Sequence, residues 1–235
     1  MSGTHPMTAI AVVPAAGSGS RLGGRRPKQF LRLGKAPLLV HTLRALASVR
    51  EVNGIIVAAP PADVRATRRL LLRYRIPRLL TVVAGGTERQ ESVWLALQAV
   101  PAESELLVVH DAVRPFIAPK LVRAVLAEAR RHGAATCGLP VSETMKRVRE
   151  GVVETTVERE GLWLVQTPQA FQRDLLWGAH EKAKRDGFWG TDDAVLVERL
   201  GFQVRMVPGL LENLKITTRE DLSRARAVAL RRRRT

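Results

Sequence analysis

Short runs of β-branched and leucine residues alternate along this chain with longer amphipathic stretches. Ala9–Pro14 (AIAVVP), Gly54–Ala58 (GIIVA), Leu79–Ala84 (LLTVVA), Leu106–His110 (LLVVH) and Ala134–Leu139 are almost wholly apolar and of strand length. That is the pattern of strands covered on both faces. The stretches between them predict helices over Pro37–Val49, Ala62–Tyr74, Glu91–Val100 and Pro119–His132. Pro opens the first and last of these at a first-turn position, where its missing N–H costs nothing. Glu91–Val100 puts Val93, Ala96, Leu97 and Val100 on one face at i, i+3, i+4 and i+7. The βαβα order points to an α/β fold, a parallel sheet with helices on both faces.

The rhythm changes after Val141. Val141–Val165 is polar, contains glycine and β-branched residues, and lacks a helical period. It reads as an extended excursion, a hairpin arm of the kind that pairs with another subunit. Helices resume at Arg173–Arg185 and Asp192–Leu200, then a strand Gln203–Val207 and a last helix from about Thr218. With no repeat, linker or internal boundary, residues 1–235 read as one domain, with 141–165 as its arm and 1–6 and 231–235 as flexible ends.

Composition narrows the classes. At 235 residues and 46% hydrophobic the chain can build a sizeable core. No apolar run reaches the ~18 residues of a membrane span, and the first twenty residues lack the basic start of a signal peptide. Cys137 is the single cysteine, so neither a disulfide nor a cysteine zinc site is available within the chain. A cytoplasmic enzyme or binding protein remains. The net charge of +16 attracts polyanions. Yet the basic residues are scattered in doublets such as Arg25-Arg26, Arg68-Arg69 and Arg130-Arg131, and the run Arg231–Arg234 ends the chain. Aromatics, at 4%, are too few for a base-stacking surface. An arginine-rich or heat-adapted surface with a solvated tail is the leading reading of this charge; a phosphorylated small substrate would also suit the field, and nucleic acid is the minority reading.

In parallel α/β sheets ligands sit beyond the carboxyl ends of the strands. After the first strand comes PAAGSGSRLGG (14–24), whose small residues let backbone N–H groups approach a phosphate while Arg21 adds a charged fork. It is neither a dinucleotide fingerprint, because Leu22 stands where glycine is needed, nor a Walker loop, because Arg25-Arg26 follow Gly24. A purely structural turn is an equal reading, and Lys28, just past it, tips the balance toward an anion site. GGTERQES (85–92) opens a helix that Thr87 and Gln90 can cap; alternatively its glycines admit a flat base beside Ser92. In HDAVRP (110–115), Asp111 can hold a metal, a ribose or a hydroxylated substrate and Arg114 a second anion, while His110 reads as a packed side chain. In NLKITTRED (213–221), Thr217 with Glu220, or Thr218 with Asp221, can cap the last helix, and Lys215 can turn back to the sheet edge. There is no zinc-spaced cluster and no Gly-x-Ser-x-Gly elbow. Recurring cations at strand ends suit phosphoryl or nucleotidyl transfer, in which catalysis is positioning plus charge stabilisation.

PAAGSGSRLGGRRPKQF, GGTERQES, VVHDAVRP, SETMKRV, GLWLVQTPQAF, GTDDA and ENLKITTREDL follow one another in the order found in the 2-C-methyl-D-erythritol 4-phosphate cytidylyltransferases, which the chain resembles from about Thr8 to Ala225. The resemblance implies a Rossmann-like three-layer nucleotidyltransferase fold with a mostly parallel mixed sheet of about seven strands and a protruding β-arm. It implies a homodimer whose arm reaches the neighbour's site. It also implies CMP transfer from CTP to the polyol phosphate, with Mg²⁺ held mainly by the CTP phosphates. On this sequence the backbone of Ala15, Ala16, Gly17 and Gly19 would hold the nucleotide, with Gly86 and Ser92 at cytosine and Ala112 near the ribose. Arg21, Lys28 and Lys215 would be catalytic. Asp111, Arg114, Thr167, Thr191 and Lys215 would line the acceptor site, joined by Thr144 and Arg159 from the partner's arm. Thr87 and Asp193 depart from the family pattern, where an acidic residue and Glu are common. Ribitol 5-phosphate is the rival acceptor; a nucleic-acid module and a catalytically silent relative are the rival classes.

Overall fold

A computed structural model describes residues 8–17 and 27–231. The first strand, β1 (Ala9–Pro14), lies inside a seven-stranded sheet, and its alternation is two-sided. Ala9, Ala11 and Val13 enter one core and Ile10 and Val12 the other, which is why the run carries no polar position. A single helical turn at Lys28–Phe30 and a small ladder, β2 (Arg32–Leu33) with β3 (Ala36–Pro37), lead into α1 (Leu38–Ala47). Next come β4 (Val52–Ala59), α2 (Val64–Arg73), β5 (Leu79–Ala84), α3 (Arg89–Leu97) and β6 (Leu106–Val109). They are followed by α4 (Pro119–His132) and β7 (Ala134–Pro140). Strands β1, β4, β5 and β6 are mutually parallel. Helices α1, α2 and α4 bury Leu39, Leu71 and Val125 against one face; α3 buries Val93 and Leu97 against the other.

The segment after Val141 divides. Strands β8 (Met145–Arg149) and β9 (Val152–Val157) form an antiparallel hairpin apart from the main sheet, its side chains almost all exposed. The expected arm is therefore present but ends earlier than Val165. From Trp163 the chain re-enters the sheet as β10 (Trp163–Gln172), antiparallel to both β6 and β7. The sequence hid this strand because Gln166, Thr167, Pro168 and Gln169 argue against a central position. The pairing with β7 resolves the conflict by breaking register between Gln166 and Ala170, so the missing N–H of Pro168 falls where no ladder bond is required.

Helices α5 (Arg173–Arg185) and α6 (Ala194–Glu198) complete the second core through Leu176, Ala179, Leu196 and Val197. Helix α6 begins two residues later than its amphipathic pattern suggests, because Asp192 and Asp193 are engaged elsewhere. Strand β11 (Arg205–Pro208) adds to β7 in parallel, giving the order β11-β7-β10-β6-β1-β4-β5. The last helix, α7 (Arg219–Arg231), opens at a reciprocal cap. Asp221 N–H donates to Thr218 Oγ1 at 3.2 Å, and the Asp221 carboxylate accepts from Thr217 and Thr218 N–H at 2.8 and 2.9 Å. Arg231 thus ends a helix, while 1–6 and Arg232–Thr235 lie outside the described residues.

Candidate active site

The carboxyl ends of β1, β4, β5 and β6 form the floor of the site. Ala15 N–H donates to Ala58 O at 2.7 Å and Gly85 N–H to Ala59 O at 2.8 Å, so the loops after β1 and β5 leave the sheet side by side. Gly85 is required there: a Cβ would lie 2.4 Å from the Ala16 methyl and 2.9 Å from Ser92 Oγ. Buried Gln29 donates through Nε2 to Ala15 O, fixing Lys28 on the turn beside the first loop. Ser92 Oγ accepts from Gly86 N–H at 3.1 Å and donates to Glu88 O at 3.0 Å, so the hydroxyl shapes the glycine loop. The expected Thr87–Gln90 cap does not form. Glu91 receives the Thr87 N–H at 2.8 Å, and Gln90 reaches outward to Phe188 O and Gly190 N–H at 3.0 and 2.7 Å.

Beyond β6, Asp111 is buried and meets three cations. Its Oδ1 lies 3.2 Å from Arg89 Nε; its Oδ2 lies 3.0 Å from Lys215 Nζ and 3.4 Å from Arg114 Nε. Burial opposes ionisation of this carboxyl, but Arg89, Lys215 and Arg114 outweigh it and hold the group far below the usual carboxylate range. Its own N–H donates to Thr167 Oγ1 at 3.1 Å. His110 is packed, as its position predicts, against Thr167 Oγ1 and Arg114 O at 3.0 and 3.3 Å, and burial lowers its pKa to about 4.

Lys215 reaches Asp111 because the residues flanking it are anchored. Asn213 Nδ2 donates to Thr167 O and Gln166 Oε1 at 2.8 and 3.1 Å, and Asn213 O accepts from Arg114 Nη1 at 2.7 Å. Ile216, fully buried with Val113, Phe116 and Leu38, donates its N–H to Val113 O at 3.0 Å. An extended segment held on both sides of Lys215 presents its ammonium toward the sheet.

Two cavities of about 210 Å³ each meet across this cluster. Ala15, Ala16, Gly17, Lys28, Gly86, Ser92 and Ala112 line one. Arg114, Gln166, Thr167 and Thr191 line the other. Arg89, Asp111 and Lys215 belong to both. Of the expected site residues, Gly19 and Arg21 lie outside the described residues. Thr144 and Arg159 are exposed on the arm and line neither cavity; Arg159 Nη1 instead donates to Ser142 O.

Arg89 was not singled out by sequence reasoning, which noted its partner Asp193 only as a departure from the family pattern. Asp193 is buried, lies 2.6 Å from Arg89 Nη1 and accepts from His180 Nε2 at 3.1 Å. Gln169, also buried, receives the Asp193 N–H at 3.1 Å and donates to Asp192 Oδ2 at 2.6 Å, which anchors the loop carrying Thr191. The available signal was the charge inside GGTERQES and GTDDA, since a cation and a carboxylate between apolar helix positions need partners. Among the described residues no three His, Cys, Asp or Glu side chains gather as a metal site. The carboxylate at the centre is already taken by cations, so these residues do not fit a protein-ligated metal.

The cluster holds three cations against two carboxylates, and its surplus positive charge sits where the two cavities join. Such a place stabilises an anion shared between two bound molecules. The family model described as IspD: 2-C-methyl-D-erythritol 4-phosphate cytidylyltransferase matches residues 9–231. The chain is 47% identical over 211 residues to the enzyme of that name from Symbiobacterium thermophilum, covering 89% of this chain and 88% of that one. It is 43% identical over 225 residues to the one from Desulforamulus reducens, covering 95% and 96%. The crystal structure of the Thermus thermophilus enzyme aligns with a TM-score of 0.78 at 37% identity, covering 93% of this chain and 98% of that one. The Anaerococcus prevotii 4-diphosphocytidyl-2C-methyl-D-erythritol synthase aligns at 0.83 and 30%, covering 96% and 100%. With the matched residues spanning the whole sheet and both cavities, this chain belongs to the 2-C-methyl-D-erythritol 4-phosphate cytidylyltransferase family.

Proposed function

We propose that the chain transfers CMP from CTP to 2-C-methyl-D-erythritol 4-phosphate, releasing pyrophosphate and forming 4-diphosphocytidyl-2-C-methyl-D-erythritol. The observation that carries this reading is the pair of cavities joined at Asp111, Arg89 and Lys215. The cavity built from glycine and alanine backbone, with Lys28 on its wall, takes the nucleotide. The cavity of Arg114, Thr167 and Thr191 takes the polyol phosphate. The acceptor's phosphate oxygen then attacks the α-phosphorus of CTP, the bond to the bridging oxygen breaks, and pyrophosphate carries that electron pair away. A phosphate monoester is already anionic at neutral pH, so no protein base is required. Catalysis falls to Arg21, Lys28 and Lys215, which offset the charge gathered on the equatorial oxygens. A magnesium ion would travel with the triphosphate of CTP and offset part of its charge.

The arm is read as a dimerisation element that brings Thr144 and Arg159 to a partner's acceptor cavity. Support comes from its exposed apolar side chains: Val152 is 69% and Val153 55% accessible, more than an isolated surface hairpin needs. Residues 1–235 then act as one catalytic domain per subunit. No helix among the described residues is long and apolar enough to cross a membrane, and the substrates named are small anions, which fits the proposed cytoplasmic location.

The test is pyrophosphate release with CTP and Mg²⁺, run in parallel with methylerythritol 4-phosphate and ribitol 5-phosphate. Strong preference for the former is expected. Preference for ribitol 5-phosphate would leave the nucleotide half standing and overturn the acceptor assignment.

A further inference from the structure

We propose that Asp193 is a positioning residue for the acceptor half of the site, acting through Arg89 on the carboxylate of Asp111. The proposal rests on the cytidylyl-transfer reading and adds to it a residue that lines neither cavity. Asp193 is 1% exposed and divides its two oxygens. Oδ1 accepts from His180 Nε2 at 3.1 Å, and Oδ2 meets Arg89 Nη1 at 2.6 Å. His180 is itself buried, its ring stacked at 6.2 Å on Trp94 between α3 and α5, so Asp193 is held from behind by packed aromatic groups.

Arg89 spans the gap. Nη1 is held by Asp193, Nε lies 3.2 Å from Asp111 Oδ1, and Nη2 is buried with no hydrogen-bond partner among the described residues. A guanidinium can hold two carboxylates in fixed directions, and an ammonium cannot. The result is a division of labour on Asp111: Oδ1 faces Arg89, while Oδ2 is left for Lys215 at 3.0 Å and Arg114 at 3.4 Å. Without the negative charge of Asp193, both ends of the fork would be free to close on Asp111. Arg89 would then compete with Lys215 and Arg114 for the same carboxylate and shift both. Asp193 also reaches the acceptor cavity by its backbone, since its N–H donates to Gln169 Oε1 at 3.1 Å next to the loop bearing Thr191. The loops of Ala15–Gly17 and Gly86 are held by separate bonds, to Ala58, Gln29 and Ser92. Arg89, Asp111 and Lys215 line both cavities, but the loops that build the nucleotide cavity do not depend on Asp193, so the effect falls more heavily on the acceptor than on CTP.

The test uses Asp193→Asn, Arg89→Lys and the double variant in the full chain. Asn keeps the acceptor for His180 and loses the charge; Lys keeps the charge and loses the fork. Steady-state pyrophosphate release with the acceptor varied gives KM and kcat, calorimetric titration of CTP alone gives nucleotide affinity, and melting curves establish folding. Each single variant is expected to raise the acceptor KM by about tenfold or more, a larger effect than its loss of CTP affinity. The double variant is expected to fall well short of the product of the singles, because both break one linked contact. Unchanged acceptor KM in the folded variants, an equal loss of CTP affinity, or multiplicative effects would each overturn the proposal. Should Asp193→Asn fail to fold, Arg89→Lys alone decides it by the same two readouts. Failure of the unsubstituted chain to turn over methylerythritol 4-phosphate would overturn the function and this proposal together. Turnover there with no acceptor effect in the variants overturns this proposal alone.

Discussion

Lys215 Nζ lies 3.0 Å from Asp111 Oδ2, although 104 positions separate the two in sequence. The pair lies at the junction between the cavities and lines both of them. When a phosphate arrives, the half-buried ammonium can turn to it without leaving the cluster. Lys215→Ala should lower kcat by ~10²–10³-fold, the range for removing one preorganised group that stabilises developing charge. A pyrophosphate-release assay checks it, and a near-normal kcat would take Lys215 out of the catalytic set.

Gly85→Ala should separate the two loops that floor the nucleotide cavity. The added methyl would meet Ala16 at 2.4 Å and Ser92 Oγ at 2.9 Å, and neither neighbour is the end of a long, flexible chain. An overpacking cost of about 1–3 kcal/mol is expected, together with a CTP KM raised about tenfold. Thermal melting and CTP-varied kinetics measure both. A variant with wild-type CTP KM would show that the loops tolerate separation.

His110 should make stability depend on pH in a defined window. In an unfolded chain the imidazole titrates near ~6.5; in the fold, burial lowers it to about 4. Between those values the unfolded state binds a proton that the folded state refuses, so acidification favours unfolding. This contribution is whole above pH ~6.5 and declines by up to about 3 kcal/mol as pH falls to about 4. Denaturant midpoints measured across the window should fall in the wild type and flatten in His110→Gln, whatever the variant's absolute stability. Parallel slopes for the two proteins would contradict the assignment.

Cys137 should be a silent thiol until the sheet opens. It is buried in β7, its Sγ donates to Pro168 O at 3.3 Å, and burial pushes its pKa up to about 12. Iodoacetamide at pH 8 should leave the native chain unlabelled and label it in denaturant. Rapid native labelling would show that β7 and β10 separate readily.

On the proposed reading that the arm completes a neighbour's acceptor cavity, Arg159→Ala should weaken the acceptor more than CTP; Arg159 is exposed and lines neither cavity of its own chain. If the arm completes a neighbour's site, mixing Arg159→Ala with Arg21→Ala subunits should restore activity that neither has alone. No recovery on mixing would remove the cross-subunit arrangement.

The parallel half of the fold was readable because burial on both faces leaves a plain signature: β1, β5, α4 and α5 begin and end where their apolar patterns do. Strand β10 was not readable, since its middle four residues serve the site and not the core. Gln166, Thr167 and Gln169 hold Asn213, Asp111 and Asp192, and only the tertiary pairing turns that polar stretch into a strand. The same reason separates the site residues. Lys28, Asp111, Arg114 and Lys215 follow strand ends or stand in compact motifs, where strand-end logic and family resemblance find them. Arg89 and Asp193 stand at the starts of α3 and α6 with 104 positions between them, and no local pattern ties one to the other.

The place of β10 also dictates when the protein can be finished. On the ribosome β6 and β7 emerge well before Trp163–Gln172, so until about residue 172 leaves the exit tunnel both present bare edges to each other and to other nascent chains. Unpaired edges of that kind invite intermolecular pairing. Late insertion of one antiparallel strand therefore makes the final third of translation the interval in which this chain most needs protection by a chaperone.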